Sequence, residues 1–128
     1  MQPVASATGE RVNWINYKTG IKHIYFRMHV GKGAGIAIEL AHPDDEMRTR
    51  YFERFVQHKS MLHSLLGEKW HWEQEVIDES GKGISRISNQ LQGVNIFNQG
   101  DWPAIISFLK PRILALDEFW SIAREAFD

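Results

Sequence analysis

The sequence predicts an α+β fold, a two-layer sandwich in which two long helices cover one face of an antiparallel sheet of about five strands. Three observations carry this. Residues 24–30 and 36–40 alternate apolar and polar on either side of a glycine cluster, the mark of a hairpin with one buried face. A second pair of β-rich runs, 69–77 and 84–91, flanks the turn sequence Asp78-Glu-Ser-Gly-Lys-Gly83. Two stretches, 43–66 and 102–127, repeat apolar residues at helical spacing. The predicted order is β-β-β-α-β-β-(β)-α.

Residues 1–10 are small and polar and read as a loose tail, with a single domain over 11–128. Arg11 to Tyr17 is β-rich and Lys18-Thr19-Gly20 a turn, which makes three strands in succession. In the hairpin, pairing Val30 with Ile36 aligns the apolar faces and leaves a loop over 31–35. That register places Met28 opposite Ile38, Phe26 opposite Leu40 and Arg27 opposite Glu39.

Pro43 and the acidic Asp44, Asp45 and Glu46 suit the first turn of a helix. Met47, Tyr51, Phe55, Leu62 and Leu65 form its stripe, widened by Phe52, Val56 and Leu66, and Gly67 suits its end. One unbroken helix over 43–66 is expected, with Asp44–Arg48 and Glu46–Arg50 as pairs four residues apart. Val94 to Phe97 suggests a short edge strand. Asp101 is the candidate N-cap of the last helix. Trp102, Ile106, Leu109, Ile113, Leu116, Trp120, Ala123 and Phe127 make an unbroken heptad seam that keeps its phase across Pro111, so one bent helix is expected. The seam suits packing on the sheet; Phe108, Ala115 and Ile122 form a leftover flank available for self-association.

Composition limits function. Fifteen basic and sixteen acidic residues give a net charge of −1, so no global field draws the chain to nucleic acid or to an anionic membrane. With no cysteine there is no disulfide, thiolate ligand or thiol nucleophile, in keeping with a cytoplasmic protein. No apolar run is long enough to span a membrane, and the N-terminus has no secretory pattern.

No motif supplies a reaction, a metal site or a cofactor. Gly31-Lys-Gly-Ala-Gly35 leads into a strand rather than a helix and so is a turn, not a phosphate loop. Pro43-Asp44 lacks the following Asp/Glu-x-Lys trio that a nuclease of the PD-(D/E)xK type needs. His58 and His63 are five residues apart and splay, while His23 and His29 are too distant along one strand to share a metal. No catalytic triad signature is present.

The candidate binding surface is the outward hairpin face, formed by Tyr25, Arg27, His29 and Glu39 with Lys32 at the turn. Its plainer reading is a solvated sheet face. Trp70 and Trp72 share one side of the next strand; they are core if they point to the helices and a stacking platform if they do not. Lys59 lies within the apolar arc of its helix, either snorkelling to the edge or pairing with a buried carboxylate.

Trp14-Ile-Asn-Tyr-Lys-Thr-Gly20, Ile36-Ala-Ile-Glu-Leu40, Leu66-Gly-Glu-Lys-Trp70, Ile84-Ser-Arg-Ile87, Gly93-Val-Asn-Ile-Phe-Asn98 and Asp101-Trp-Pro through Phe119-Trp120 together resemble a family of uncharacterised bacterial proteins, a domain of unknown function. The resemblance runs from about residue 11 to the end. It implies a short stand-alone form of a module similar to the C-terminal part of longer, restriction-endonuclease-like proteins, with no catalytic residues to carry over. The expected function is a non-catalytic binding or protein-interaction module that self-associates. The alternatives are an accessory module that meets nucleic acid through Arg27, Lys32 and nearby aromatics, and a small-molecule enzyme using His29 and Glu39 in a concave site.

Overall fold

A computed structural model describes residues 15–127. The predicted tail over 1–10 and the first part of the predicted strand over 11–17 lie outside these residues. Among the described residues five strands form one antiparallel sheet: β1 (Ile15–Tyr17), β2 (Ile24–Gly31), β3 (Gly33–Leu40), β4 (His71–Ile77) and β5 (Gly83–Leu91), in the spatial order β1-β2-β3-β5-β4. Helices α1 (Asp45–Gln57), α2 (Lys59–Leu66) and α3 (Trp102–Ala123) complete the fold. The α+β class and the alternation of hairpins with helices match the expectation. The helices cover the sheet face that bears Phe26, Ile36, Ile38 and Ile87, all buried against Phe55, Leu62, Leu116, Phe119 and Trp120.

The hairpin register differs from the expected one by two residues. Gly31 pairs with Gly33, leaving Lys32 as the turn, so Val30 faces Ala34, Met28 faces Ile36, Phe26 faces Ile38 and Ile24 faces Leu40. The glycine-rich segment therefore extends the ladder rather than looping out of it. Because side chains alternate with period two, an even shift keeps every residue on its expected face. Arg27 now stands opposite Ala37, and Glu39 opposite Tyr25.

The first helical segment is two helices, not one. His58 closes α1 with φ −101° and ψ 14°, and its backbone N–H is shared between the carbonyls of Arg54 and Phe55. Its ring Nδ1 also lies 2.8 Å from the Arg54 oxygen, so ring and backbone compete for one acceptor and the helix turns there. Asp44 is the N-cap, accepting from Glu46 N–H at 2.9 Å. Arg48, expected to pair with Asp44, is buried and reaches Asp45, the His42 carbonyl at 2.8 Å and Glu75 at 3.8 Å. The Glu46–Arg50 pair forms at 3.5 Å, and Gly67 ends α2 with φ 72°. Val56, expected on the stripe, is exposed.

Helix α3 runs unbroken through Pro111, which is exposed, but the heptad seam does not describe its core side throughout. Trp120, Leu116, Leu109 and Ala123 are buried, whereas Trp102 and Ile106 are exposed and Ile105 and Phe108 replace them. An α-helix turns every 3.6 residues, so a seam repeating every 3.5 drifts by about 20° per heptad unless the helix supercoils. Phe108, expected on a free flank, is thereby core. Asp101 precedes α3 without capping it; its carboxylate accepts from Asn95 N–H at 3.0 Å, after a 3-10 turn over Gln99–Asp101. Residues 94–97 form no strand, although Ile96 N–H bonds the Gly31 carbonyl at 2.9 Å.

Long-range polar contacts fasten the layers. The Trp120 indole N–H donates to the Thr19 carbonyl at 2.7 Å. The Tyr17 hydroxyl donates to Asp117, and its pKa is pushed up to about 12 by desolvation together with that carboxylate.

Candidate binding face of the sheet

The face of the sheet turned away from the helices is polar. The pairing of β2 with β3 and of β3 with β5 sets Tyr25, Glu39 and Arg86 in one row, and β4 extends it with Glu73. The next row holds Arg27, Ala37, Ser88 and His71. Small residues thus floor the middle of this second row, with longer polar side chains rising on either side.

Glu39 is the centre of this surface. It is only 7% exposed. Its Oε1 accepts from Arg27 Nη1 at 2.8 Å, diagonally across β2 and β3, and its Oε2 accepts from Arg86 Nε at 3.1 Å. A carboxylate with both oxygens engaged by guanidiniums has little freedom to act as a base. The Arg27 guanidinium also lies over the Tyr25 ring, 4.3 Å from its centroid. Two arginines against one glutamate leave this cluster with one net positive charge.

His29 lies further along β2, opposite Gly35. A Cβ built on Gly35 would come within 2.3 Å of His29 Cε1, so the imidazole rests directly on the glycine. Protein packed around the ring disfavours its charged form and lowers its pKa, against the pull of Glu39 and Glu79; Arg86 adds to the lowering. Lys32 is exposed at the turn, beyond the Arg27–Glu39–Arg86 cluster. The structure therefore joins Tyr25, Arg27 and Glu39 into one unit, sets His29 beside it on Gly35, and leaves Lys32 outside.

Arg86 is the residue that sequence reasoning missed. Its strand alternates poorly because Ser85 and Asn89 face the helices, each held by a distant partner. Ser85 donates to the Gln74 carbonyl at 2.5 Å, and Asn89 Nδ2 donates to Glu68 at 3.0 Å. Glu68 also receives two bonds from Arg112, at 2.7 and 2.8 Å, and one from the Trp70 indole at 2.8 Å. Desolvation raises the Glu68 pKa, but the bonds from Arg112, Trp70 and Asn89 outweigh it and hold the carboxyl below its ordinary value.

Trp70 is buried and Trp72 packs on the core, edge-on to Phe52, so neither offers a stacking platform on the polar face. Lys59 takes a third course beyond the two expected: its ammonium sits 4.9 Å from the centre of the Trp72 ring. An open depression of about 520 Å³ lies beside the arginine cluster, lined by Lys69, Trp70, His71, Glu73, Arg86, Ser88, Asn89 and Gln90. Neither His29 nor Glu39 lines it, so the concave site that the enzyme alternative requires around that pair does not form there. Among the described residues no group of three His, Asp or Glu side chains could hold a metal ion, and no helix is long and apolar enough to cross a membrane.

The model of a family described as a domain of unknown function, DUF4268, matches residues 1–123. The match begins at the first residue, ahead of the start near residue 11 that the resemblance implied, and ends before the last few. Among curated proteins nothing matches, nor does any solved structure.

Proposed function

We propose that this chain, which belongs to the DUF4268 family, is a non-catalytic protein-interaction module that presents the polar face of its sheet to a partner bearing an exposed carboxylate. The observation that carries this reading is Glu39 clamped between Arg27 and Arg86. The clamp preorganises two guanidiniums, so little side-chain entropy is lost when a further carboxylate meets them. It also occupies the carboxylate at the centre of this face. Ala37 and Ser88 let an extended segment lie close to the sheet between the taller side chains of β2 and β4.

A protein partner is favoured over nucleic acid by two features. The cluster's net charge is small, and both tryptophans of the β4 segment are turned inward. The reading includes a cytoplasmic site of action, which the lack of cysteine supports.

A titration of the ¹⁵N-labelled chain with a short oligo-glutamate peptide, and in parallel with single-stranded DNA, tests it at low salt. The peptide is expected to shift the amides of Arg27, Ala37, Arg86 and Ser88, and Arg86→Glu is expected to remove those shifts. Peptide shifts confined to other surfaces sink the proposal. Binding of DNA alone moves the reading to nucleic acid.

A further inference from the structure

Helix α3 carries a self-complementary outer face. Around the helix axis Leu114 lies opposite the core residues Ile105 and Ala123, at roughly 180° for a 100° step per residue. It is 58% exposed despite being a leucine. Every fourth residue on either side of it, Ile106, Lys110, Glu118 and Ile122, is also exposed and continues one ridge along the helix. Ile106 is 58% and Ile122 57% exposed. Among the described residues neither Lys110 nor Glu118 makes an ion pair.

The order of these residues is palindromic in character. A two-fold axis through Leu114 sets Leu114 on itself, Lys110 against Glu118 of the second copy, Ile106 against Ile122, and Ser107 against Ser121. Charge therefore meets opposite charge twice, apolar meets apolar, and small meets small one turn beyond the charges. The Ser121 hydroxyl is folded back onto the Glu118 carbonyl at 2.7 Å, which keeps its profile low. Ridges of this four-residue spacing interdigitate between two helices in the commonest class of helix crossing. The relation is isologous, as a closed dimer demands.

We infer that the outer face of α3 docks a second copy of this chain in antiparallel fashion, centred on Leu114, with Lys110 and Glu118 pairing reciprocally. One helix pair buries less than the roughly 1,200–2,000 Å² of a stable interface, so the dimer is weak. Because this face points away from the sheet, the dimer displays its two polar sheet faces outward, in opposite directions. A partner with repeated acidic segments then gains avidity from both. The inference does not depend on the proposed function, since the two surfaces lie on opposite sides of the molecule.

Sedimentation equilibrium of the full chain up to about 1 mM tests it, that being a concentration at which weak complexes populate. The wild type is expected to dimerise. Lys110→Glu and Glu118→Lys each turn two attractions into two repulsions and are expected to weaken dimerisation about tenfold. The double variant Lys110→Glu/Glu118→Lys restores complementarity and is expected to recover it. Leu114→Glu abolishes it while circular dichroism stays unchanged, since the residue is exposed. A wild type that remains monomeric overturns the inference. So does a dimer indifferent to the charge reversals, or a double variant no better than the single ones.

Discussion

The His29 imidazole rests on Gly35 across the β2–β3 ladder, at a separation that no side-chain carbon on residue 35 could share: a Cβ there would stand 2.3 Å from Cε1 and 2.9 Å from Nδ1. The glycine thus serves a close approach between two chemical groups. The obstructing atoms belong to the end of a side chain rather than to backbone, so the ring has somewhere to go. Gly35→Ala is expected to change stability by less than about 1 kcal/mol, because the alanine gains strand propensity while the ring swings out. The same substitution relieves the desolvation of the imidazole and raises its pKa. An NMR titration of the His29 ring checks this; an unchanged pKa with a large loss of stability contradicts it.

Glu39 compensates two guanidiniums that are themselves largely covered, at 31% and 26% side-chain exposure. Glu39→Ala strands both charges and is expected to cost about 2 kcal/mol, in the range for hydrogen bonds to charged groups. Arg27→Ala is expected to cost less, because Arg86 still neutralises the carboxylate. Urea denaturation of the two variants separates them, and equal losses would count against Glu39 as the hub.

Glu68 ties the end of α2 to α3 through Arg112 and to β5 through Asn89. Glu68→Gln keeps the shape but loses the charge and one good acceptor from a bidentate pair. A loss of roughly 1–3 kcal/mol is expected, read from the urea midpoint. The Trp70 indole bonds the same oxygen as Arg112 Nε, so a shift in tryptophan emission should accompany it.

Acidification should weaken the fold in two stages. Burial lowers the pKa of His29 and of His63, the latter with help from Lys59 and Lys69. Each ring binds a proton more readily in the unfolded chain, so its contribution is present above the ordinary value of 6.5 and is lost as the pH falls through the folded value. Glu68, held below its ordinary 4.5, contributes above that value and is lost at still lower pH. Urea midpoints measured from pH 8 to pH 3 should therefore fall in a first step that His63→Gln diminishes and a second that Glu68→Gln diminishes. A flat profile between pH 8 and pH 5 would refute the first step.

Local sequence carries the alternation of β2 and β3, the Gly67 cap and the turn at Asp78, because each depends on residues a few positions apart. What it does not carry depends on distant partners. Arg86 joins Glu39 only once β5 lies against β3. Ser85 and Asn89 look misplaced on an inward side until Gln74 and Glu68 are seen to satisfy them. The glycines at 31–35 suggest a loop by composition, yet four of the five residues pair in the ladder and one of them seats an imidazole. The heptad spacing of α3 promises a straight seam, but a helix of ordinary pitch carries its first turns off the sheet and leaves Trp102 42% exposed, its indole bonded to the Ile96 carbonyl.

The strand order has a kinetic corollary. Each of the ribbons β2–β3 and β4–β5 closes over a short turn, at little entropic expense. Only the seam of β3 with β5 joins segments separated by the whole of α1, α2 and β4, with Ile38 meeting Ile87. Loop closure of that length is where chain entropy concentrates, so substitutions along this seam should retard refolding, whereas those at the outer edge of β4 should mainly hasten unfolding.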